Sequence, residues 1–283
     1  MNIKKVGIIG AGTMGNGIAQ VFATANTEVL LLDINESSVE RGIQTIEKNS
    51  QRLVEKQKMS SEDQLQMMRR IQGSINYQDL SGVDLVIEAA TENFELKLKI
   101  LQQIDLIVSN TTIIATNTSS LSITKLAQSN SNPNRVIGMH FFNPVPVMSL
   151  VEIICGLQTD ESTLQKVLQI TKLIGKEPIS VKNSPGFVVN RILVPMINEA
   201  FFVLAEGLAT AEEIDAGMKL GCNQPIGPLA LADLIGLDTC LAIMEIFFNN
   251  FKDSKYRPAP LLCEMVAAGY LGRKTGRGVY VYS

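Results

Sequence analysis

Apolar positions in the first part of the chain fall into short continuous runs, separated by longer stretches in which they recur every three or four residues. Val6 to Ile9 is the first run. A segment with Ile18, Val21 and Phe22 on one side follows, then the run from Glu28 to Leu32. A short apolar run between turns predicts a strand covered on both faces, and the wider spacing predicts an amphipathic helix. The alternation continues. Residues 83–90 read as a strand, and residues 93–107 as a helix with Phe94, Leu98, Leu101 and Ile104 on one face. Further strands are expected from Thr111, from Arg135, across "SLVEII" and over residues 177–181. Alternating strands and helices predict an α/β fold with a mostly parallel sheet.

The pattern changes at the turn Asn183-Ser184-Pro185-Gly186. Ser184 is expected to cap a new helix, with Pro185 in its first turn. That helix carries Phe187, Val188, Ile192, Leu193, Met196, Ile197, Phe201, Phe202, Val203 and Leu204, so it is apolar nearly all round and is expected to be buried on several sides. Thr210 to Glu213 reads as a capping box and Gly221 as a helix stop. Everything after residue 184 is expected to be an all-α domain, residues 185–283, that pairs the chain as a homodimer.

Composition narrows the classes. The chain has 283 residues, 46% hydrophobic and 19% charged, with a net charge of -3. Affinity for nucleic acid rests on basic surface, so a general nucleic-acid binder is excluded. No run approaches the roughly 18 apolar residues of a membrane span, and the chain opens on a strand without a secretory apolar core. A cytoplasmic location is expected. Cys155, Cys222, Cys240 and Cys263 are widely spaced, and a single histidine cannot complete a common zinc site, so no metal is expected and the cysteines read as free thiols.

The first strand runs into Gly10-Ala11-Gly12-Thr13-Met14-Gly15, a G-x-G-x-x-G loop that opens a helix. Gly10 permits the tight turn, Gly12 lets the backbone approach a pyrophosphate, and Gly15 lets the helix sit close on the strand. The helix N-terminus offers N–H groups and a positive dipole end to phosphates. Asp33 ends the second strand, where a carboxylate can bind a ribose 2′-hydroxyl. The same carboxylate would repel a 2′-phosphate, and the nearest arginine is Arg41, so NAD is favoured over NADP. Residues 1–184 are therefore expected to form a Rossmann-type dinucleotide-binding domain. Its ligands should lie at the carboxyl ends of the strands, which draws attention to Ala90, Thr91 and Glu92, to Asn117, Thr118 and Ser119, and to His140 and Asn143.

His140 is the only histidine, and it sits at the end of a predicted strand beside the expected nicotinamide site. Pro144 and Pro146 stop that strand, and the next carries Glu152. If the two strands pair, the imidazole and the carboxylate can meet. Removing hydride from a secondary alcohol also requires loss of the hydroxyl proton, and imidazole titrates near neutrality. A carboxylate partner can fix its tautomer and stabilise the imidazolium.

Seven ordered blocks, "GAGTMGNGIAQVFA", "EAATENFELK", "NTSSLSI", "GMHFFNPVPVMSLVEII", "SPGFVVNRILVPMINEA", "GPLALADLIGLDT" and "GRKTGRGVY", resemble the L-3-hydroxyacyl-CoA dehydrogenases over nearly the whole chain, with the nearest likeness to the stand-alone bacterial 3-hydroxybutyryl-CoA dehydrogenases. The resemblance implies NAD-dependent, reversible oxidation of a short (S)-3-hydroxyacyl-CoA, with acetoacetyl-CoA and 3-hydroxybutyryl-CoA as the pair, in fatty-acid oxidation or butyrate synthesis. It implies His140 as general acid/base oriented by Glu152, and Ser119 on the substrate oxygen. Asn190 would lie on the thioester side of the substrate and help hold His140. It adds Glu92, Lys97, Asn143 and Lys274 to the glycine loop and Asp33 as cofactor contacts. Lys48, Arg52 and Lys56 recur every four residues on a predicted helix and share a face that could meet CoA phosphates; the resemblance adds that the family's serine contact to CoA in this helix aligns with Asn49, next to Ser50. Two other readings stay open: a β-hydroxyacid dehydrogenase acting on free acids, and a dinucleotide-binding protein without turnover.

Overall fold

The computed structural model describes residues 3–282. The chain forms two compact units, Met1–Ser184 and Pro185–Ser283.

The first unit contains β1 (Lys5–Ile9), α1 (Thr13–Thr24), β2 (Glu28–Leu32), α2 (Glu36–Glu55), α3 (Ser61–Arg69), β3 (Ile71–Ser74), β4 (Leu85–Glu88), α4 (Phe94–Asp105), β5 (Ile113–Thr116), α5 (Ile123–Ala127), β6 (Val136–Phe141), β7 (Leu150–Cys155), α6 (Glu161–Leu173) and β8 (Glu177–Lys182). The strands form one sheet in the order β3-β2-β1-β4-β5-β6-β7-β8. The first six strands are parallel. β7 turns antiparallel to β6, and β8 runs parallel to β7. Strand order reverses between β1 and β4, which makes their carboxyl ends the crevice where such sheets bind ligands.

Alternating side chains build a separate core on each face. Val6, Ile8, Val29, Leu31, Ile137 and Met139 pack with Ile18 and Phe22 of α1 and Val167 of α6. Ile9, Leu30, Leu32, Val86 and Ile114 pack with Leu101 and Ile104 of α4 and Leu126 of α5. Several helices start on a side chain that accepts a backbone N–H: Asn35 for α2, Asn93 for α4 and Asp160 for α6. The Thr163 amide holds the Asp160 carboxyl below its usual range.

The second unit contains α7 (Val189–Ala205), α8 (Ala211–Gly221), α9 (Pro228–Ile235), α10 (Leu237–Phe251) and α11 (Pro260–Ala267). Its core joins Ile197 and Phe201 of α7 to Leu229, Leu237 and Leu262. The capping box of Thr210 and Glu213 forms at the start of α8. Gly227 has no side chain to cap α9, and Asp215 does so instead, accepting the amides of Leu229 and Ala230 at 2.8 and 2.9 Å. Asp233 accepts the amides of Val279 and Tyr280 and so fastens the last segment.

One local expectation is corrected. Ser184 caps no helix, because α7 begins at Val189 without a side-chain cap. Gly186 at φ 75° and Phe187 at φ 52° are left-handed, which a helix cannot pass through. Phe187 is buried. α7 buries Val194, Ile197, Ala200 and Phe201, while Ile192 is exposed, so the all-round apolar pattern is not all interior.

Candidate active site

β1 delivers the glycine loop to the switch point. Gly10 has φ 99°, and a Cβ there would meet the Ala89 carbonyl at 2.7 Å. Gly12 is the N-cap of α1, with no side chain capping the first turn. A Cβ placed on Gly12 would meet nothing within 4 Å, so the space above the helix N-terminus is open. An uncapped N-terminus facing open space is what a pyrophosphate requires. A cavity of about 380 Å³ lies there, walled by Ala11, Gly12 and Thr13 on one side and by Asn143, Pro144, Val145 and Pro146 on another. Asp33 borders it, its Oδ2 accepting the Ala11 amide at 2.7 Å and its Oδ1 the Ile34 amide at 2.7 Å. These amides aim the carboxylate. Ser38, Arg41, Thr45 and Asn49 of α2 complete the lining. The residues fit a dinucleotide.

The second cluster sits at the ends of β4, β5 and β6. His140 and Glu152 are paired in register across β6 and β7. His140 Nδ1 lies 2.7 Å from Glu152 Oε2. The imidazole is 4% exposed and the glutamate 0%, so the pair is shielded from water. The Phe142 ring lies 4.5 Å from the imidazole, centroid to centroid. A buried carboxylate has to be compensated, and here an imidazole N–H is at hand to do it. In the tautomer that donates Nδ1–H to this acid, the basic lone pair is on Nε2.

Ser119 is set by a different acid. Glu92 Oε1 accepts four donors from the turn after β5: the Thr118 hydroxyl at 2.8 Å, the Ser119 amide at 2.9 Å, the Ser120 amide at 3.0 Å and the Ser120 hydroxyl at 2.9 Å. Asn117 ties the same turn to its neighbours. Its amide donates to the Glu88 carbonyl, and its Oδ1 accepts the Phe141 amide at 2.8 Å, one residue past His140. The hydroxyl-bearing turn and the histidine are thus fixed to one frame.

Several expected residues fall elsewhere. Lys97 is buried at 1% exposure, with Nζ 2.5 Å from Glu88 Oε2, so it supports the sheet end instead of facing the cavity. Its helical position put it on the inner face of α4, where only an ion pair makes a lysine tolerable. Thr116 donates to the same Glu88 oxygen at 2.8 Å, and sequence reading had missed Glu88 altogether. Ser50 is fully buried. Its hydroxyl donates to the Glu47 carbonyl and accepts from Gln64, which corrects its assignment to a CoA contact. Asn49 lines the cavity, and Lys48, Arg52 and Lys56 are exposed. Within the second unit, Asn190 lies in the first turn of α7. Lys274 lies 2.6 Å from both Asp238 oxygens, an ion pair at the surface.

A family model described as 3-hydroxyacyl-CoA dehydrogenase, NAD binding domain, matches residues 5–184, and the C-terminal domain of the same family matches residues 186–282. The chain belongs to the 3-hydroxyacyl-CoA dehydrogenase family. Family members similar to it include the 3-hydroxybutyryl-CoA dehydrogenase of Clostridioides difficile, 48% identical with 99% of each chain covered. The enzyme of that name from Bradyrhizobium diazoefficiens is 49% identical, over 99% of this chain and 96% of the other. Among solved structures, (S)-3-hydroxybutyryl-CoA dehydrogenase from Ralstonia eutropha matches with a TM-score of 0.98 and 63% identity over the whole of both chains. The N-terminal unit is the family's NAD-binding domain, and the protein is an oxidoreductase.

Proposed function

We propose that this protein is an NAD-dependent (S)-3-hydroxyacyl-CoA dehydrogenase that interconverts 3-hydroxybutyryl-CoA and acetoacetyl-CoA. The observation that carries the reading is the buried His140–Glu152 pair at the carboxyl edge of the sheet that also forms the dinucleotide cradle. The nicotinamide, when bound, takes up or gives the hydride. His140 Nε2 takes the hydroxyl proton in oxidation and returns it to the carbonyl oxygen in reduction. Glu152 keeps the proton on Nδ1 and stabilises the imidazolium that forms. The Ser119 hydroxyl hydrogen-bonds the reacting oxygen. Asn143, which lines the cavity, contributes on the cofactor side.

Asp33 favours NAD over NADP, since a 2′-phosphate beside its carboxylate would be repelled. The exposed face of α2 with Lys48, Arg52 and Lys56 is the candidate surface for CoA phosphates. A homodimer through the helical unit is supported by its exposed apolar side chains, Ile192, Leu208, Leu220 and Phe248. No helix among the described residues is long and apolar enough to cross a membrane. A cytoplasmic enzyme of fatty-acid oxidation or butyrate synthesis accords with the reading.

The test is oxidation of NADH and NADPH with acetoacetyl-CoA and, as control, free acetoacetate. Turnover of the thioester with NADH is expected. Reduction of the free acid alone would replace this reading with that of a β-hydroxyacid dehydrogenase, and NADH binding without turnover would replace it with a non-catalytic one.

A further inference from the structure

Lys176 lies between α6 and β8, outside every sequence block quoted above, and is buried at 6% exposure. Its Nζ donates to the carbonyls of Val145 and Met148, both at 2.7 Å. It makes no ion pair among the described residues. Burial pushes its amine below the usual lysine range. An ammonium taken out of water without a carboxylate is expensive, and a structure that keeps one uses it for positioning or chemistry.

The carbonyls it bridges belong to the turn that follows His140. That turn has little hydrogen bonding of its own: the amides of Val147 and Met148 both donate to the Pro144 carbonyl. Its Asn143, Pro144, Val145 and Pro146 form one wall of the dinucleotide cavity, and Asn16 and Gly17 of α1 lie on the facing side. The two sides touch at Val145, since a Cβ on Gly17 would lie 2.9 Å from the Val145 Cβ. Where the turn sits therefore sets the width of the cavity.

We propose that Lys176 is a positioning residue for the cofactor: by bridging the Val145 and Met148 carbonyls, its ammonium fixes the 143–148 turn at the spacing from α1 that a dinucleotide fits. The inference rests on reading the cavity as the NAD site. It does not depend on which substrate is reduced.

Lys176→Met keeps the length of the apolar stem and leaves two buried carbonyls without their donor. NADH affinity is measured by fluorescence titration, and amide exchange is followed in the protein without cofactor. About tenfold weaker NADH binding is expected, the order of effect of orphaned buried acceptors. Faster exchange confined to the 141–150 segment should accompany it, with kcat at saturating NADH within about threefold, since Lys176 touches no reacting group. Lys176→Gln, whose amide can reach one carbonyl, should fall between wild type and Lys176→Met, and it serves alone if the methionine variant does not fold. An NADH Kd within about twofold of wild type in the folded variant overturns the proposal. So does faster exchange spread evenly over the sheet, which marks a merely structural lysine. If acetoacetyl-CoA is not reduced but the variant still loses NADH affinity, the substrate reading fails and this inference stands. If the wild type binds no NADH, both fail.

Discussion

Glu152 stands directly across the β6–β7 ladder from His140, with its Oε2 2.7 Å from the imidazole Nδ1. Residues opposed in an antiparallel pair share a face, so acid and base meet without any loop having to place them. His140→Gln is expected to leave NADH affinity within a few-fold and to reduce kcat by roughly 10²–10⁴, the share general acid–base catalysis supplies. Glu152→Gln should cost about 10²–10⁴ as well, because the amide no longer enforces the Nδ1–H tautomer. Steady-state kinetics with acetoacetyl-CoA checks both, and unchanged turnover in the first variant would remove His140 from the mechanism.

Glu92 is expected to act on the substrate side. One of its oxygens organises Thr118, Ser119 and Ser120, so Glu92→Ala should misplace the Ser119 hydroxyl. A drop in kcat/KM for the thioester of about 10–100-fold is predicted, since several charge-assisted bonds are lost together. NADH affinity should change by less than about threefold. A large loss of NADH affinity with normal kcat would make Glu92 a cofactor contact instead.

The glycine loop offers a paired test. A Cβ on Gly15 would lie 1.6 Å from the Gly10 carbonyl oxygen, so Gly15→Ala should lower Tm sharply or prevent folding. A Cβ on Gly12 meets nothing, so Gly12→Ala should fold with a Tm within a few degrees of wild type, yet bind NADH at least about tenfold more weakly, because the methyl group occupies space the pyrophosphate needs. Wild-type NADH affinity in Gly12→Ala would move the phosphates elsewhere.

Asp33 should decide cofactor choice. Asp33→Ser removes the charge opposed to a 2′-phosphate and leaves Arg41 on the same cavity wall. The NADH/NADPH ratio of kcat/KM is expected to fall by about 100-fold or more, equivalent to roughly 2.7 kcal/mol. An unaltered ratio would show that the discrimination lies in other residues.

Legibility in the sequence followed the range of the interactions. β1, β2, β5 and β6 were readable because strands covered on both faces must be continuously apolar. β3, with the sequence Ile-Gln-Gly-Ser, carries no such run and was not foreseen. It is an edge strand held by main-chain bonds to β2. The meeting of His140 and Glu152 could be anticipated because few residues separate them. The burial of Lys97 against Glu88 was not legible, because motif position fixes a residue's place on the chain, not which side of its helix faces the core. Lys176 gave no signal at all, since main-chain carbonyls have no signature in side-chain order. The left-handed turn at Gly186 and Phe187 was hidden because phenylalanine seldom adopts that conformation.

The reversal of strand direction between β6 and β7 has a consequence for assembly. A parallel neighbour for β6 would require a crossover of a dozen or more residues, usually a helix, before any acid could be brought opposite His140. The reversed strand needs only the connection from Phe142 to Ser149. Closing so short a loop costs little entropy, so the His140–Glu152 pair is a comparatively local contact of the sheet. It is also self-checking. A one-residue slip of β7 would turn Glu152 to the opposite face and set Val151 or Ile153 across from His140 in its place. A misregistered sheet would leave an intact dinucleotide cradle beside an imidazole with no acid, and loss of turnover with retained NADH binding would reveal that error of folding.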